Sequence, residues 1–142
     1  MQFKHHEPPA DLSNEQQVAN EIQRAWKCHA NKLPKHYRAD FVLTRGGKVF
    51  AFAEVKCRTI PHNRYRHVIL GLAKVAHMRM LADIAGVPIY FVVRFTDGIF
   101  YADLSRGSNY NVAYGGQLAK MRDERDMEPI CQIPISTLVP LQ

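Results

Sequence analysis

The run from Lys48 to Lys56 is almost continuously apolar, yet two charged groups stand near its end, and this combination constrains the fold most. Such an apolar run favours a strand buried on both faces, at the centre of a sheet. Because side chains alternate along a strand, Glu54 and Lys56 point to the same face. Burying an unpaired carboxylate or ammonium group costs several kcal/mol. The pair therefore predicts a metal site or a water-filled cleft on that face.

A second carboxylate, Asp40, opens the preceding predicted strand, fourteen residues before Glu54. Gly46-Gly47 predicts a tight turn between the two strands. With a plain two-residue turn, Asp40 would stand opposite Ala53 and face the other side of the sheet. A three-residue loop, or a bulge that adds one residue, would place Asp40 opposite Glu54. We expect the second arrangement, because it brings the carboxylates together.

The chemistry expected at this point is hydrolysis assisted by a divalent ion. Two carboxylates, Asp40 and Glu54, and the backbone carbonyl of Val55 form a hard oxygen site suited to Mg²⁺ or Mn²⁺. Such an ion can bind a phosphate oxygen and acidify a water molecule. Lys56 can orient that water or stabilise charge on the phosphate. The alternative is an ordinary strand-initial Asp beside an exposed Glu-x-Lys pair, since that tripeptide alone is common.

The charge distribution indicates an anionic partner. The formal net charge is +6 and the pI is about 9.4. Two stretches, Ile22–Ala39 and Val55–Ala82, contain basic residues and no acid, and they flank the two carboxylates. A polyanion held by its phosphates needs such surroundings, although a generally basic surface is the simpler alternative. No stretch is apolar enough to span a bilayer, so the sequence predicts a cytoplasmic protein without a membrane partner.

The order of predicted elements is typical of an α/β fold with one mixed sheet between helices. A capping box at Ser13-x-x-Gln16 predicts the start of a helix that ends before Leu33. The chain is expected to be one domain over residues 1–142, with an irregular lead-in over residues 1–12. The extension over residues 105–142 is expected to be loop-like at first and to add an edge strand near its end. The remaining predicted elements are strands at Asp40–Thr44, Lys48–Lys56, Ile89–Phe95, Ile99–Leu104 and Ile130–Ile135 and a helix at Arg64–Ala85.

The second predicted helix carries candidate nucleic-acid contacts. Arg64, His67, Gly71 and Lys74 are spaced three or four residues apart, so they would share one helix face. Arg58, just after the central strand, is a further candidate contact with phosphate. A plain solvated face is an equal alternative for Arg64 and His67.

The run RADFVLTRGGKVFAFAEVKCRT, residues 38–59, resembles the core motif of the PD-(D/E)XK nuclease superfamily. Within it the chain is similar to small resolvase-like and VRR-NUC-like nucleases and to nuclease-like phage proteins. The resemblance implies a restriction-endonuclease-like αβββαβ core, with Asp40, Glu54 and Lys56 as catalytic residues. Ala39 replaces the proline of the motif, and only Leu33–Arg38 is available for the first core strand.

Many members also carry a metal-binding glutamate on the first helix, and two residues fit. Glu15 lies in line with the apolar stripe of the helix, whereas Glu21 lies at its border. We select Glu15, acting through water; a favourable interaction with the helix dipole is an equal alternative.

The resemblance implies a DNA endonuclease that depends on Mg²⁺ or Mn²⁺. Its substrate would be duplex or branched DNA, and its role would lie in recombination, repair or phage DNA processing in a bacterial or phage-infected cell. Resolvase-like relatives are typically dimers, so the resemblance is compatible with a homodimer. A nuclease-fold DNA-binding or assembly module without catalytic activity is the alternative function.

Overall fold

The computed structural model describes residues 9–105, 110–115 and 127–142. In these ranges the chain forms two helices and nine strands, joined by turns and two short 3₁₀ segments, Lys35–Tyr37 and Ile135–Thr137. The helices are α1 (Pro9–Trp26) and α2 (Leu72–Ala85). The strands are β1 (His29–Lys32), β2 (Phe41–Arg45), β3 (Lys48–Cys57), β4 (His67–Gly71), β5 (Ile89–Phe95), β6 (Gly98–Asp103), β7 (Asn111–Gly115), β8 (Glu128–Pro134) and β9 (Val139–Pro140).

The main sheet has six strands in the order β1-β2-β3-β5-β6-β9. Strands β3 and β5 are parallel and the other neighbours are antiparallel, so the sheet is mixed. Strand β3 is central, as its apolar run predicts. Helix α1 packs through Val18 and Ile22 on one face of the sheet. Helix α2 packs through Val75 and Met78 on the other face, which confirms the predicted α/β fold with a mixed central sheet between helices.

The hairpin between β2 and β3 has both a two-residue turn and a bulge. Arg45 pairs with Lys48 across Gly46-Gly47, and both glycines adopt positive φ, which suits a tight hairpin turn. The register then shifts, because Leu43 pairs with Ala51 while Thr44 pairs with Val49. Phe50 is therefore the extra residue of a β-bulge. Of the two routes that would place Asp40 opposite Glu54, the structure contains the bulge.

A second sheet, in the order β4-β8-β7, corrects two predictions from the sequence. The segment expected to form the first two turns of a helix from Arg64 to Ala85 is instead strand β4, and α2 begins only at Leu72. The β-branched Val68 and Ile69 favour a strand. Strand β8 supplies the partner backbone over five residue pairs. Because β8 lies about sixty residues later in the chain, local spacing did not reveal this pairing.

Strand β8 also differs from the predicted edge strand at Ile130–Ile135. It begins at Glu128 and lies in the middle of the second sheet, between β4 and β7. Pro129 and Pro134 lie near its two ends, where a missing N–H interrupts the ladder least. Part of the extension expected to be loop-like, Asn111–Gly115, is strand β7. Residues 106–109 and 116–126 of the extension lie outside the described ranges.

The first helix starts earlier and ends earlier than predicted. It begins at Pro9 rather than Ser13, so residues 9–12 of the expected irregular lead-in are helical, and residues 1–8 lie outside the described ranges. It ends at Trp26, followed by Lys27 in a left-handed conformation with φ of 50°. The next residues form β1, which pairs with β2. The first strand of the core is thus β1, and Leu33–Arg38, expected to supply it, contains a 3₁₀ segment instead.

Within the described ranges, no helix combines the length and the apolar character needed to cross a membrane.

Candidate active site

Asp40 and Glu54 meet at the start of β2. The backbone N–H of Asp40, one residue before β2, donates to the carbonyl of Ala53 at 3.0 Å, which ties this residue to β3. The carboxyl groups of Asp40 and Glu54 line the same cleft, where Lys74 of α2 contacts Glu54. Oδ2 of Asp40 also accepts a hydrogen bond from the N–H of Val55 at 2.8 Å, which fixes its side chain.

Glu54 is a buried carboxyl group, with 4% of the residue exposed. Burial, which disfavours the ionised form, is the main reason that the pKa of Glu54 is raised to about 8. The nearby negative charge of Asp40 raises this pKa further, and Lys74 acts in the opposite direction. Two acids that share a desolvated site therefore resist ionising together. A cation between them would remove this resistance.

Lys74 of α2 forms an ion pair with Oε2 of Glu54. Its side chain is 45% exposed, whereas that of Glu54 is 5% exposed, so the lysine approaches from the open side. Burial lowers the pKa of Lys74, but the charges of Glu54, Asp40 and Glu15 outweigh burial and raise it overall. Lys74 is therefore a protonated counter-ion of the acid pair.

A second lysine, Lys32 of β1, connects the acid pair to α1. Its Nζ lies 2.5 Å from Oε2 of Glu15 and 3.5 Å from Oδ1 of Asp40. Of the two glutamates considered on the first helix, Glu15 is thus the one beside the site. Glu21 forms an ion pair with Arg24 one turn away on the same helix. A role for Glu15 in metal binding stays a prediction.

Lys56 lies two residues beyond Glu54 on the same face of β3. Its Nζ donates a hydrogen bond to the backbone carbonyl of Ile69 in β4 at 2.7 Å. The second sheet therefore holds this ammonium group in place. The catalytic role assigned to Lys56 stays a prediction.

The four predicted nucleic-acid contacts do not share one helix face, because the helix that was to carry three of them begins only at Leu72. Arg64 lies in a turn, with its guanidinium group 5.8 Å from the ring centre of Tyr65. His67 lies in β4, opposite Pro134. Arg58 follows β3, where its N–H donates to the carbonyl of Arg94 at 2.8 Å and burial lowers the pKa of its guanidinium group. Among the four, only Lys74 lines the cleft described below.

A cleft of about 510 Å³ opens above the two carboxylates. One wall comes from the segment between β1 and β2, and the other comes from α2 and the start of β8. Several charged residues that line the cleft were not predicted as site residues from the sequence. For the first wall, the basic stretch without acids before Asp40 could have indicated them. The missed residues are Lys32, Lys35, Arg38, His77 and Glu128.

The acid pair fits a hard divalent ion. In residues 9–105, 110–115 and 127–142, no three His, Cys, Asp or Glu side chains are grouped closely enough to hold a metal by themselves. The donors of such an ion would be the carboxylates of Asp40 and Glu54, with the backbone carbonyl of Val55 and water as expected further ligands. All are oxygen donors, the set that Mg²⁺ and Mn²⁺ accept. Burial, and then the charge of Asp40, raise the pKa of Glu54, and a cation bound beside the carboxyl group would favour its ionised form.

Comparison with known protein families agrees with this geometry. The family described as "Phage putative PDDEXK endonuclease" matches residues 1–141, almost the whole chain. The chain belongs to this phage PD-(D/E)XK endonuclease family. The endonuclease thus belongs to a class that generally works with divalent metal ions. No curated protein matches it.

The fold of the endonuclease is also found among solved structures. It is similar to Hjc, a Holliday junction resolvase of Archaeoglobus fulgidus, with a TM-score of 0.64. The match covers 92% of this chain and 90% of the resolvase, at 14% sequence identity. At this identity the likeness establishes the fold, which is the restriction-endonuclease-like core implied by the motif.

Proposed function

We propose that the endonuclease hydrolyses phosphodiester bonds of DNA with Mg²⁺, and that it prefers branched DNA. The observation that carries the proposal is the proximity of Asp40 to the buried Glu54 in a cleft with basic walls. The preference for a branched substrate rests on the similarity in fold to the archaeal junction resolvase. We place the activity in the cytoplasm of a bacterial or phage-infected cell, and a homodimer would suit the two-fold symmetry of a four-way junction.

Each residue has a distinct part in the proposed reaction. Asp40 and Glu54 would hold the divalent ion, together with the carbonyl of Val55. The ion, when bound, supplies charge stabilisation at the phosphate and activation of a water molecule. Lys56, positioned by the carbonyl of Ile69, would donate a hydrogen bond to that water or to the phosphate.

The walls of the cleft provide the proposed contacts with the DNA backbone. Lys35 and Arg38 lie on the β1–β2 wall, and Lys74 and His77 lie on α2. Phosphates on both sides of a scissile bond could therefore meet positive charge. Because the two walls come from different parts of the chain, DNA would bind across the top of the acid pair.

We expect replacement of Lys35 and Arg38 by alanine to weaken DNA binding uniformly across sequences. Each lost phosphate contact should lower the slope of log K against log salt by about 1, so the double variant should lose about 2. Fluorescence anisotropy over a series of salt concentrations measures this slope. Lys48→Ala is the matched control, since this exposed lysine lies at the hairpin turn, roughly 20 Å along β3 from Glu54. An unchanged slope in the double variant would remove this wall from the interface.

The function is tested by cleavage of a labelled four-way junction, a linear duplex of the same sequence, and an RNA duplex. We expect cutting of the junction with Mg²⁺ or Mn²⁺, weaker cutting of the linear duplex, and no cutting in EDTA. Equal cutting of junction and linear duplex would reject the preference for branches. DNA binding without cutting under all metal conditions would favour the alternative, a DNA-binding module of nuclease fold.

A further inference from the structure

The counter-ion of Glu54 comes from an unexpected element. In the sequence motif, Lys56 is the lysine associated with the acid pair, but the ammonium group that contacts Glu54 belongs to Lys74 of α2. Lys56 donates a hydrogen bond to the carbonyl of Ile69. The acid pair thus has a positive charge that comes from outside the motif and reaches it across the cleft.

Lys74 and a divalent ion would compete for the same carboxylate at this site. Both are attracted to the carboxylate of Glu54, which is almost fully buried, and Lys74 already contacts its Oε2. The lysine lies on the open side of the cleft, and its flexible stem lets the ammonium group move toward solvent. Lys74 can therefore leave when an ion of higher charge enters, without any change in the backbone.

Lys32 is less suited to such an exchange. Its Nζ is 3.5 Å from Asp40 but 2.5 Å from Glu15, so the nearer carboxylate holds it. A cation that enters between Asp40 and Glu54 leaves the pair of Lys32 and Glu15 intact. The exchange is therefore expected at Lys74.

We infer that Lys74 is a tethered counter-ion, which pairs with Glu54 before a divalent ion binds and moves to a phosphate of the bound DNA afterwards. The inference rests on the proposed function, because it takes the acid pair as the metal site. It makes metal binding and DNA binding cooperative: the metal releases a positive charge into the cleft, and DNA that engages this charge keeps it away from Glu54. Such coupling is reciprocal between the two ligands.

The test uses Lys74→Met, which keeps much of the length of the side chain and removes its charge. Calcium titrations by calorimetry, at a pH above 8 so that Glu54 is largely ionised, report metal affinity without DNA cleavage. We expect the variant to bind Ca²⁺ more tightly, by roughly three- to tenfold, because an ion pair of this exposure no longer competes. DNA binding in Ca²⁺, measured by anisotropy, should be weaker than in the wild type. The increase in DNA affinity on replacing EDTA with Ca²⁺ should also be smaller.

Two further variants complete the test. Lys74→Arg keeps the charge and should retain the wild-type coupling between Ca²⁺ and DNA. Lys35→Met removes a lysine of the opposite wall of the cleft and should weaken DNA binding without tightening Ca²⁺ binding. Thermal melting of each variant in EDTA verifies that it is folded.

Opposite effects on the two ligands are the signature of a tethered counter-ion. Weaker or unchanged Ca²⁺ binding by Lys74→Met would overturn the inference and leave Lys74 as a structural partner of Glu54. In that case a wild type that still binds Ca²⁺ and cuts DNA with Mg²⁺ would leave the proposed function standing. A wild type that neither binds divalent ions nor cuts DNA would instead refute the proposed function.

Discussion

Replacing Glu54 with glutamine is expected to slow metal-dependent cleavage by about a thousandfold or more. Glutamine keeps the shape of the side chain but removes the charge of the proposed metal ligand. Solvent can hardly replace this ligand, because the residue is 4% exposed. DNA binding should persist, since the substitution adds no negative charge to a cleft with basic walls. Single-turnover cleavage and anisotropy on the same DNA separate the two effects.

Glu128→Gln is the matched control for Glu54→Gln, because it neutralises another acid of the same cleft. Glu128 is exposed at the start of β8, away from the hairpin that carries the motif, so its loss should change cleavage little. Asp40→Asn should behave like Glu54→Gln. If Glu54→Gln kept near wild-type cleavage, or Glu128→Gln lost as much, this carboxylate pair would not be the catalytic centre.

The second large effect is expected in the stability of the metal-free protein. The pKa of Glu54 is raised from 4.5 to about 8 by burial and by Asp40. The folded protein therefore binds a proton that the unfolded chain has lost between these two pH values. The contribution of Glu54 to the free energy of unfolding is complete below the pKa of the unfolded chain. It falls as pH rises toward 8, by up to roughly 5 kcal/mol at about 1.4 kcal/mol per pH unit.

Glu54→Gln isolates this contribution, because other titrating groups are common to both proteins. Urea unfolding in EDTA, at several pH values between 5 and 9, should show the variant gaining stability relative to the wild type as pH rises. Excess Mg²⁺ should restore the stability of the wild type at high pH and have little effect on the stability of the variant. A difference in stability that is independent of pH would mean that Glu54 ionises in the folded protein as easily as in water.

The features that the sequence predicted correctly are those encoded within one or two neighbouring strands. The apolar run of β3 indicated a central strand, and the alternation along it put Glu54 and Lys56 on one face. The parallel partner β5 was recognisable from the run Ile89–Phe95. The prediction that Asp40 and Glu54 come together required an assumed three-residue loop or bulge. In the structure, Phe50 is the extra residue of that bulge.

The features that the sequence did not reveal depend on distant partners. His67–Gly71 becomes a strand because β8 pairs with it, and this shortens the helix that follows. The single helix face expected to carry Arg64, His67 and Lys74 is therefore absent. The ion pair between Lys74 and Glu54 depends in turn on how α2 packs over the sheet. No spacing within a single element contains this information.

The bulge at Phe50 also gives a rule of parity for related sequences. Thirteen residues separate Asp40 from Glu54, an odd number, and a regular ladder closed by a two-residue turn pairs only residues with an even number between them. A homologue that lacks one residue here could keep its acids opposite each other with a plain hairpin. One that gains a single residue would need a second irregularity, so insertions and deletions in this hairpin are expected to come in compensated steps.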